Sequence, residues 1–233
     1  MTFGSTFGRV FSPTFQPKSQ AAAGGGWWDL DGTLSGCVAA YQPKGAASYA
    51  ASKVNLANPG TYNLTEEVGA VSWDTDNGWK GDKTNYFTTG IVPSGQWTVI
   101  VRATDLYTTE QNNLVGLYAI ADQDSIPGNS RFYIGCAVTG NYWWGYHDKS
   151  GTNATASNGV YAVTSEGGYR DGIKIITFSA GALNVGAREI FVLARDYYSG
   201  YQITDSNIQA VALYNATLTL TQIGNLTTAM NAL

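Results

Sequence analysis

The stretch Trp79 to Val101, WKGDKTNYFTTGIVPSGQWTVIV, constrains the fold more than any other part of this chain. A polar turn built on Gly81, Asp82 and Asn85 leads into Tyr86-Phe87-Thr88-Thr89-Gly90-Ile91. A short loop with Pro93, Ser94 and Gly95 follows, and Trp97, Val99, Val101 and Ala103 then alternate with Thr98, Ile100 and Arg102. Alternation of period two, bounded by turn residues, marks a strand that buries one face. Leu114–Ile120, Phe132–Thr139, Tyr142–Tyr146, Val160–Thr164, Ile173–Phe178, Glu189–Ala194 and Ile208–Tyr214 read as further strands, with Gly140-Asn141 as a two-residue hairpin turn. Many short strands separated by turn signals predict an all-β, antiparallel two-sheet β-sandwich. Ala46–Val54 reads as a short helix or helical turn. Thr219 and Gln222 form a capping-box pattern ahead of Ile223, Leu226 and Met230, which predicts a short C-terminal helix covering an open end of the sandwich.

Composition agrees with strands and narrows the partners. Charged residues make up 13% of the 233 positions, against about 25% in ordinary soluble domains. With 28 Gly and 15 Tyr, the chain suits tight turns and a polar, uncharged surface rather than helices. The net charge of -4 and the lack of a Lys/Arg stripe argue against nucleic acid as a partner. No window approaches the ~20 apolar residues that span a bilayer, so no membrane insertion is expected. The opening MTFGSTFGRVFSPTFQPKSQ lacks a basic segment followed by an apolar one, so no secretory signal is read and synthesis in the cytoplasm is expected.

Residues 1–26 differ from the rest. Phe3, Phe7, Phe11 and Phe15 recur every fourth position, but Gly4, Gly8, Pro13 and Pro17 oppose a helix. The segment reads as an extended arm with aromatic anchors, ending in the linker Ala21-Ala22-Ala23-Gly24-Gly25-Gly26. Residues 27–233 read as one sandwich domain, with 27–60 as a lead-in and 61–233 as its body. The arm is expected to dock on other copies of the chain or on neighbouring proteins.

Three pieces of 61–233 carry a family resemblance: Trp79 through Ile91 followed by Trp97-Thr98-Val99; the turn Gly168-Tyr169-Arg170-Asp171-Gly172; and Ile208 through Thr219 as a last strand leading into a helix. Together they resemble the concanavalin A-like lectin/glucanase superfamily in its laminin-G-like or pentraxin-like branch, with Gly81-Asp82 inverting the usual Asp-Gly order. That implies a jelly-roll sandwich. The arm Thr6–Pro17 and the segment Cys37–Ala47 are similar to the start of small tailed-bacteriophage proteins that carry such a domain. This resemblance implies a non-enzymatic virion structural protein, a capsid decoration, fibre or tail component at the virion surface. The alternative is a carbohydrate-binding adhesin for host-surface glycans, and the third reading is a glycan-cleaving enzyme.

The candidate chemistry is sparse. The superfamily's glucanases use Glu-x-Asp-x-x-Glu on one strand, and this chain has no such triplet. Asp29-Leu30-Asp31-Gly32-Thr33-Leu34 looks like a phosphatase nucleophile loop, but the βαβ pattern that would build its parallel sheet is missing. No cofactor is expected. Calcium stays open at Asp122-Gln123-Asp124 and at Asp74-Thr75-Asp76-Asn77, although neither forms a 12-residue loop with a terminal Glu. Cys136 falls in phase with Phe132 and Ile134 and is expected as a buried free thiol; the single His147 leaves no zinc spacing. For sugars there are two aromatic groups. Alternation puts Trp143 with His147 on one face and Trp144 with Tyr146 on the other, so one pair is core and the other exposed. Tyr197, Tyr198 and Tyr201, with Arg195 and Asp196, form a second, loop-like group. The glycan-binding candidates are therefore Trp143, His147, Tyr197, Tyr198 and Arg195.

Overall fold

The computed structural model describes residues 25–30, 36–106, 112–119, 124, 126–136, 140–197 and 202–233. The arm with Phe3, Phe7, Phe11 and Phe15 lies outside the described residues, as do Asp31, Asp122, Gln123, Tyr198 and Tyr201.

In chain order the elements are β1 Cys37–Tyr41, α1 Tyr49–Ser52, β2 Thr65–Glu66, β3 Ser72–Asp74, β4 Gly78–Lys80, β5 Phe87–Thr88, β6 Ser94–Gly95, β7 Thr98–Thr104 and β8 Asn112–Ala119. There follow β9 Ser130–Cys136, β10 Asn141–His147, β11 Lys149–Thr155, β12 Gly159–Thr164, β13 Gly167–Arg170 and β14 Ile173–Thr177. The chain continues through β15 Leu183–Asn184, β16 Phe191–Val192, β17 Asp196–Tyr197, β18 Asn207–Tyr214 and α2 Leu220–Asn231. One sheet runs β14-β13-β12-β7-β18-β4-β3 with β1 also on β18; the other runs β11-β10-β9-β8-β16-β5-β2 with β17 on β8. A two-stranded sheet, β15-β6, completes the set among the described residues. All these pairings are antiparallel except β17 on β8. The two large sheets stack as the expected sandwich. No helix of the described residues is long and apolar enough to cross a membrane.

The period-two pattern works as the sequence requires. Val99, Val101, Tyr161, Val163, Val211 and Leu213 of the first sheet face Phe132, Ile134, Tyr142, Trp144 and Tyr146 of the second across one buried layer. Tyr142 and Tyr161 stack across it, centroids 3.7 Å apart and planes 12° off parallel. A register shift between Ile208 and Ala210 changes the phase of β18, so that both Ile208 and Val211 reach this layer.

The opposite face of the first sheet is also apolar. Ile100, Val160, Ala162, Ala210 and Ala212 lie under Ile223, Leu226 and Met230 of α2. The helix thus covers the outer face of a sheet rather than the open end of the sandwich where the sequence pattern had placed it. The reason lies in the strands: residues between the core positions are apolar here too, and a sheet with two apolar faces needs a cover on each. The capping box forms as expected, with Gln222 N donating to Thr219 Oγ1 at 3.3 Å and Thr219 N donating to Gln222 Oε1 at 2.9 Å. At the other helix end Arg102 Nη1 donates to the Met230 and Leu233 carbonyls at 2.7 and 3.1 Å, satisfying acceptors that an α-helix leaves open. The lead-in joins this layer: Trp27 and Trp28 pack against it, Tyr214 Oη donates to the Trp28 carbonyl at 2.7 Å, and β1 pairs with β18.

Other expectations shift by a few residues. The β9–β10 pairing Tyr142↔Cys136 puts the connection at 137–141, longer than a Gly140-Asn141 turn. The two-residue hairpin sits instead at His147-Asp148, because Tyr146 pairs with Lys149. Gly168–Arg170, read as a turn, belongs to β13, and the turn is Asp171-Gly172 with φ of 48° and 80°. Of Glu189–Ala194 only Phe191–Val192 is strand, since the chain reverses at Leu193 with φ of 68°. The Ala46–Val54 helix shrinks to α1, capped by Ser48. Cys37 and Cys136 are both free thiols, and Cys136 is buried as expected.

The turn that opens the key stretch closes on Asp82. Its Oδ1 accepts from the backbone N–H of Thr84 and of Asn85, each at 2.8 Å, and from Thr84 Oγ1 at 2.8 Å. Burial pushes this carboxyl up, but these donors outweigh it and hold the group below its ordinary value of 3.8.

Two outcomes follow for stability. Leu226 is fully buried, so Leu226→Ala is expected to cost about 2–5 kcal/mol in urea unfolding. Asp82→Ala is expected to cost about 1 kcal/mol at neutral pH. Because the folded-state value is depressed, that contribution is present above the unfolded value and lost as pH falls through the folded one. Unfolding curves of the two proteins should therefore converge in strong acid.

Candidate functional site

The core dictates which residues lie on the outer face of the second sheet, where Trp143 is half-buried and Tyr133 is 3% exposed. With Phe132, Ile134, Trp144 and Tyr146 pointing inward, Arg131, Tyr133, Trp143 and Gly145 must point outward on β9 and β10. Tyr133 is flanked across the ladders by Gly116 and Gly145. A Cβ on Gly145 would stand 2.5 Å from Tyr133 Cε1, and Gly116 has φ of 146°, so both positions require glycine for the ring to lie flat on the sheet. Trp143 meets that ring edge to face, centroids 6.4 Å apart.

Arg195 arrives from the reversed segment after β16. The left-handed turn at Leu193 costs about 1–2 kcal/mol for a residue with a Cβ, and it brings the chain back along the edge of β8 as β17. Arg195 then lies only 4% exposed, with its guanidinium carbon 4.3 Å from the Tyr133 centroid and 5.5 Å from that of Tyr118. Its Nη2 donates to Gln202 Oε1, which also accepts from Asn113 Nδ2 at 3.0 Å. Arg131 also stands by Tyr118, 4.9 Å from its centroid, donating to the Tyr118 hydroxyl and to the Asp148 carbonyl at 3.0 Å each. These side chains and Ser150 enclose a hollow of about 260 Å³. Burial raises the Tyr133 hydroxyl, and the charges of Arg195 and Arg131 oppose that rise, so both arginines act on the same spot.

The structure therefore joins one residue from each predicted aromatic group: Trp143 and Arg195 line a single cavity. Arg195 is the floor of that cavity rather than part of an exposed loop. His147 is not part of it. It occupies the β10–β11 turn at φ of 49°, with Nδ1 2.9 Å from Asp148 Oδ1. Lys149, then His147, hold Asp148 down at about 2. Tyr197 contributes backbone pairing to Tyr118, and Tyr198 lies outside the described residues. Tyr133, Arg131 and Tyr118 were missed by the sequence reading. The Gly-Tyr-Gly arrangement across three strands involves pairing partners far apart in sequence, which one strand's alternation does not reveal.

A larger polar hollow of about 440 Å³ lies beside the β3–β4 turn, lined in part by Asp74, Lys80, Asp105 and Asn158. Its described wall holds no aromatic ring on which a sugar could stack. Asp74 spends its oxygens inside its own turn, on the backbone N–H of Asp76 and Asn77 at 2.9 and 2.7 Å. Asp124, from the other calcium candidate, is paired with Arg188 at 2.9 Å. Among the described residues no three His, Cys, Asp or Glu gather as a metal site. Asp29 lies in a turn outside the sheets, not at a parallel strand tip, so the phosphatase reading has no structural basis.

No protein-family model and no curated protein sequence matches this chain. Solved structures do match in fold. A Trypanosoma rangeli sialidase in complex with 2,3-difluoro-KDN is similar over 85% of this chain, with a TM-score of 0.58 and 13% identity. The chain spans about a third of that sialidase, 33% of its length. Domain 4 of AbnA, a GH43 extracellular arabinanase from Geobacillus stearothermophilus, in complex with arabinotriose, is similar over 82% of this chain and 98% of its own, with a TM-score of 0.53 and 15% identity. The receptor binding domain of botulinum neurotoxin D matches 83% of this chain and 52% of its own, with a TM-score of 0.52 and 12% identity. At such identities the shared property is the β-sandwich. The sequence expectation of a protein that is not an enzyme is corrected here: the same fold recurs within sialidases and as a domain of an arabinanase.

Proposed function

We propose that this chain is a glycan-recognition domain of a glycan-active protein, and that it receives a sugar in the hollow on the outer face of the second sheet. The observation that carries this reading is the aromatic corner of Trp143 and Tyr133 beside Arg131 and Arg195. A sugar ring has an apolar face and a hydroxyl rim; it needs a flat apolar surface with hydrogen-bond donors at its border. The arabinanase domain that holds arabinotriose, matched over nearly all of its length, supports the reading, as do the sialidases.

For its setting we propose the surface of a virion, reached from synthesis in a host cytoplasm. The support is the resemblance of Thr6–Pro17 and Cys37–Ala47 to tailed-bacteriophage proteins. In this proposal Phe3, Phe7, Phe11 and Phe15 anchor the body to further copies of the chain and to neighbouring virion proteins. Each phenylalanine buried in such docking contributes about 1.5–3 kcal/mol before ordering costs. The partner met by the opposite side is a host-surface glycan.

On an immobilised glycan panel, the full chain is expected to bind at least one saccharide. Trp143→Ala should weaken that binding about tenfold or more while leaving the melting temperature nearly unchanged, since Trp143 is half-buried at the surface. A panel on which the unaltered chain binds nothing overturns the reading. Removing residues 1–26 is expected to leave a folded body that elutes smaller on a sizing column than the assembled full chain. Unchanged assembly would remove the anchor from the proposal.

A further inference from the structure

The wall of the hollow is electrostatically one-sided. It carries the guanidinium groups of Arg131 and Arg195 and, among its described residues, no carboxylate. This is unusual in a chain whose net charge is -4. Two acidic side chains close to it in sequence, Asp148 and Asp196, are turned to other cations. Asp148 holds Lys149 at 2.6 Å and His147 at 2.9 Å. Asp196 holds Arg188 at 2.7 Å. Arg131 directs its described hydrogen bonds to two neutral acceptors, the Tyr118 hydroxyl and a backbone carbonyl. Two like charges facing one partly desolvated space repel each other, and an anion placed between them converts that repulsion into attraction. A guanidinium also presents its donors as a planar fork matched to a carboxylate.

We infer that the sugar received here is an acidic one, whose ring lies against Trp143 and whose carboxylate meets Arg131, with Arg195 supplying charge from the floor. The inference rests on the glycan-recognition reading and narrows it to one chemical class, carboxylated sugars, whether uronic acids or sialic acids. A neutral sugar would satisfy the aromatic corner but bring no anion to the two guanidinium groups in the wall. The hollow, about 260 Å³, has the scale of one terminal residue rather than of a polysaccharide groove.

Calorimetric titration of the full chain tests this with two matched pairs of probes: trigalacturonate against its methyl ester, and 3′-sialyllactose against lactose. The expected result is that at least one acid binds about tenfold or more tightly than its neutral counterpart, the scale of one charge-assisted hydrogen bond. That advantage should shrink as salt is raised from about 50 mM to about 500 mM. Arg131→Gln should erase most of the advantage and leave binding of the neutral partner in place. The comparison of acid with neutral probe needs no variant, so it holds even if Arg131→Gln fails to fold. Equal binding of acid and neutral probes, lost together in Trp143→Ala, overturns this inference while the glycan-recognition reading stands. No binding of any of the four probes, together with an empty glycan panel, brings down both.

Discussion

The contact between the two large sheets governs everything else in this molecule. It is made by aromatic rings that meet across the layer, Tyr142 and Trp144 on Tyr161, with Phe132 and Tyr146 edge to face beside them within the second sheet. Rings bury large apolar areas and fix their neighbours by shape, so they leave each strand little freedom of register. Once Tyr142, Trp144 and Tyr146 are committed inward, Trp143 and Gly145 have no choice but to face out. The aromatic corner of Trp143 and Tyr133 is thus the reverse side of the core. A one-residue slip of β10 would destroy both at once, because each side chain would exchange its face for the other.

Much of the architecture could be read from the chain. Alternation located most of the long strands but not β11, whose polar run Lys149–Thr155 has no apolar alternation to read, and the Thr219–Gln222 capping box located the start of α2 within a residue. What could not be read was where α2 docks, since that depends on Ile100, Val160, Ala162, Ala210 and Ala212 forming one surface from three strands. The site was half legible. Trp143 stood out by alternation, and Arg195 by its aromatic neighbourhood. Their meeting in one hollow depends on the reversal at Leu193, a left-handed residue with no glycine or asparagine to announce it. Tyr133 was missed because its setting comes from glycines on two other strands. Short strands such as β5 and β16 were blurred or misjudged in length for a related reason: two residues are too few for a periodicity.

The correction about enzymatic function has a similar origin. The absence of a carboxylate triplet speaks only to one chemistry of one superfamily branch. The fold itself is shared with sialidases and an arabinanase domain, and at 13–15% identity it is the sandwich that these proteins have in common with this chain. The arrangement of Arg131, Arg195, Tyr133 and Trp143 is a property of this chain's own residues. The functional argument therefore rests on the hollow they form.

The two broad faces of the sandwich are not equivalent. One lies beneath α2 and the Trp27-Trp28 segment, while the other carries the half-buried Trp143. On the proposed reading, a chain with this hollow would hold one saccharide there at a time. Under that proposal, strong attachment to a surface crowded with saccharides would come from several such molecules held side by side in a common orientation, where each engaged neighbour raises the effective concentration for the next.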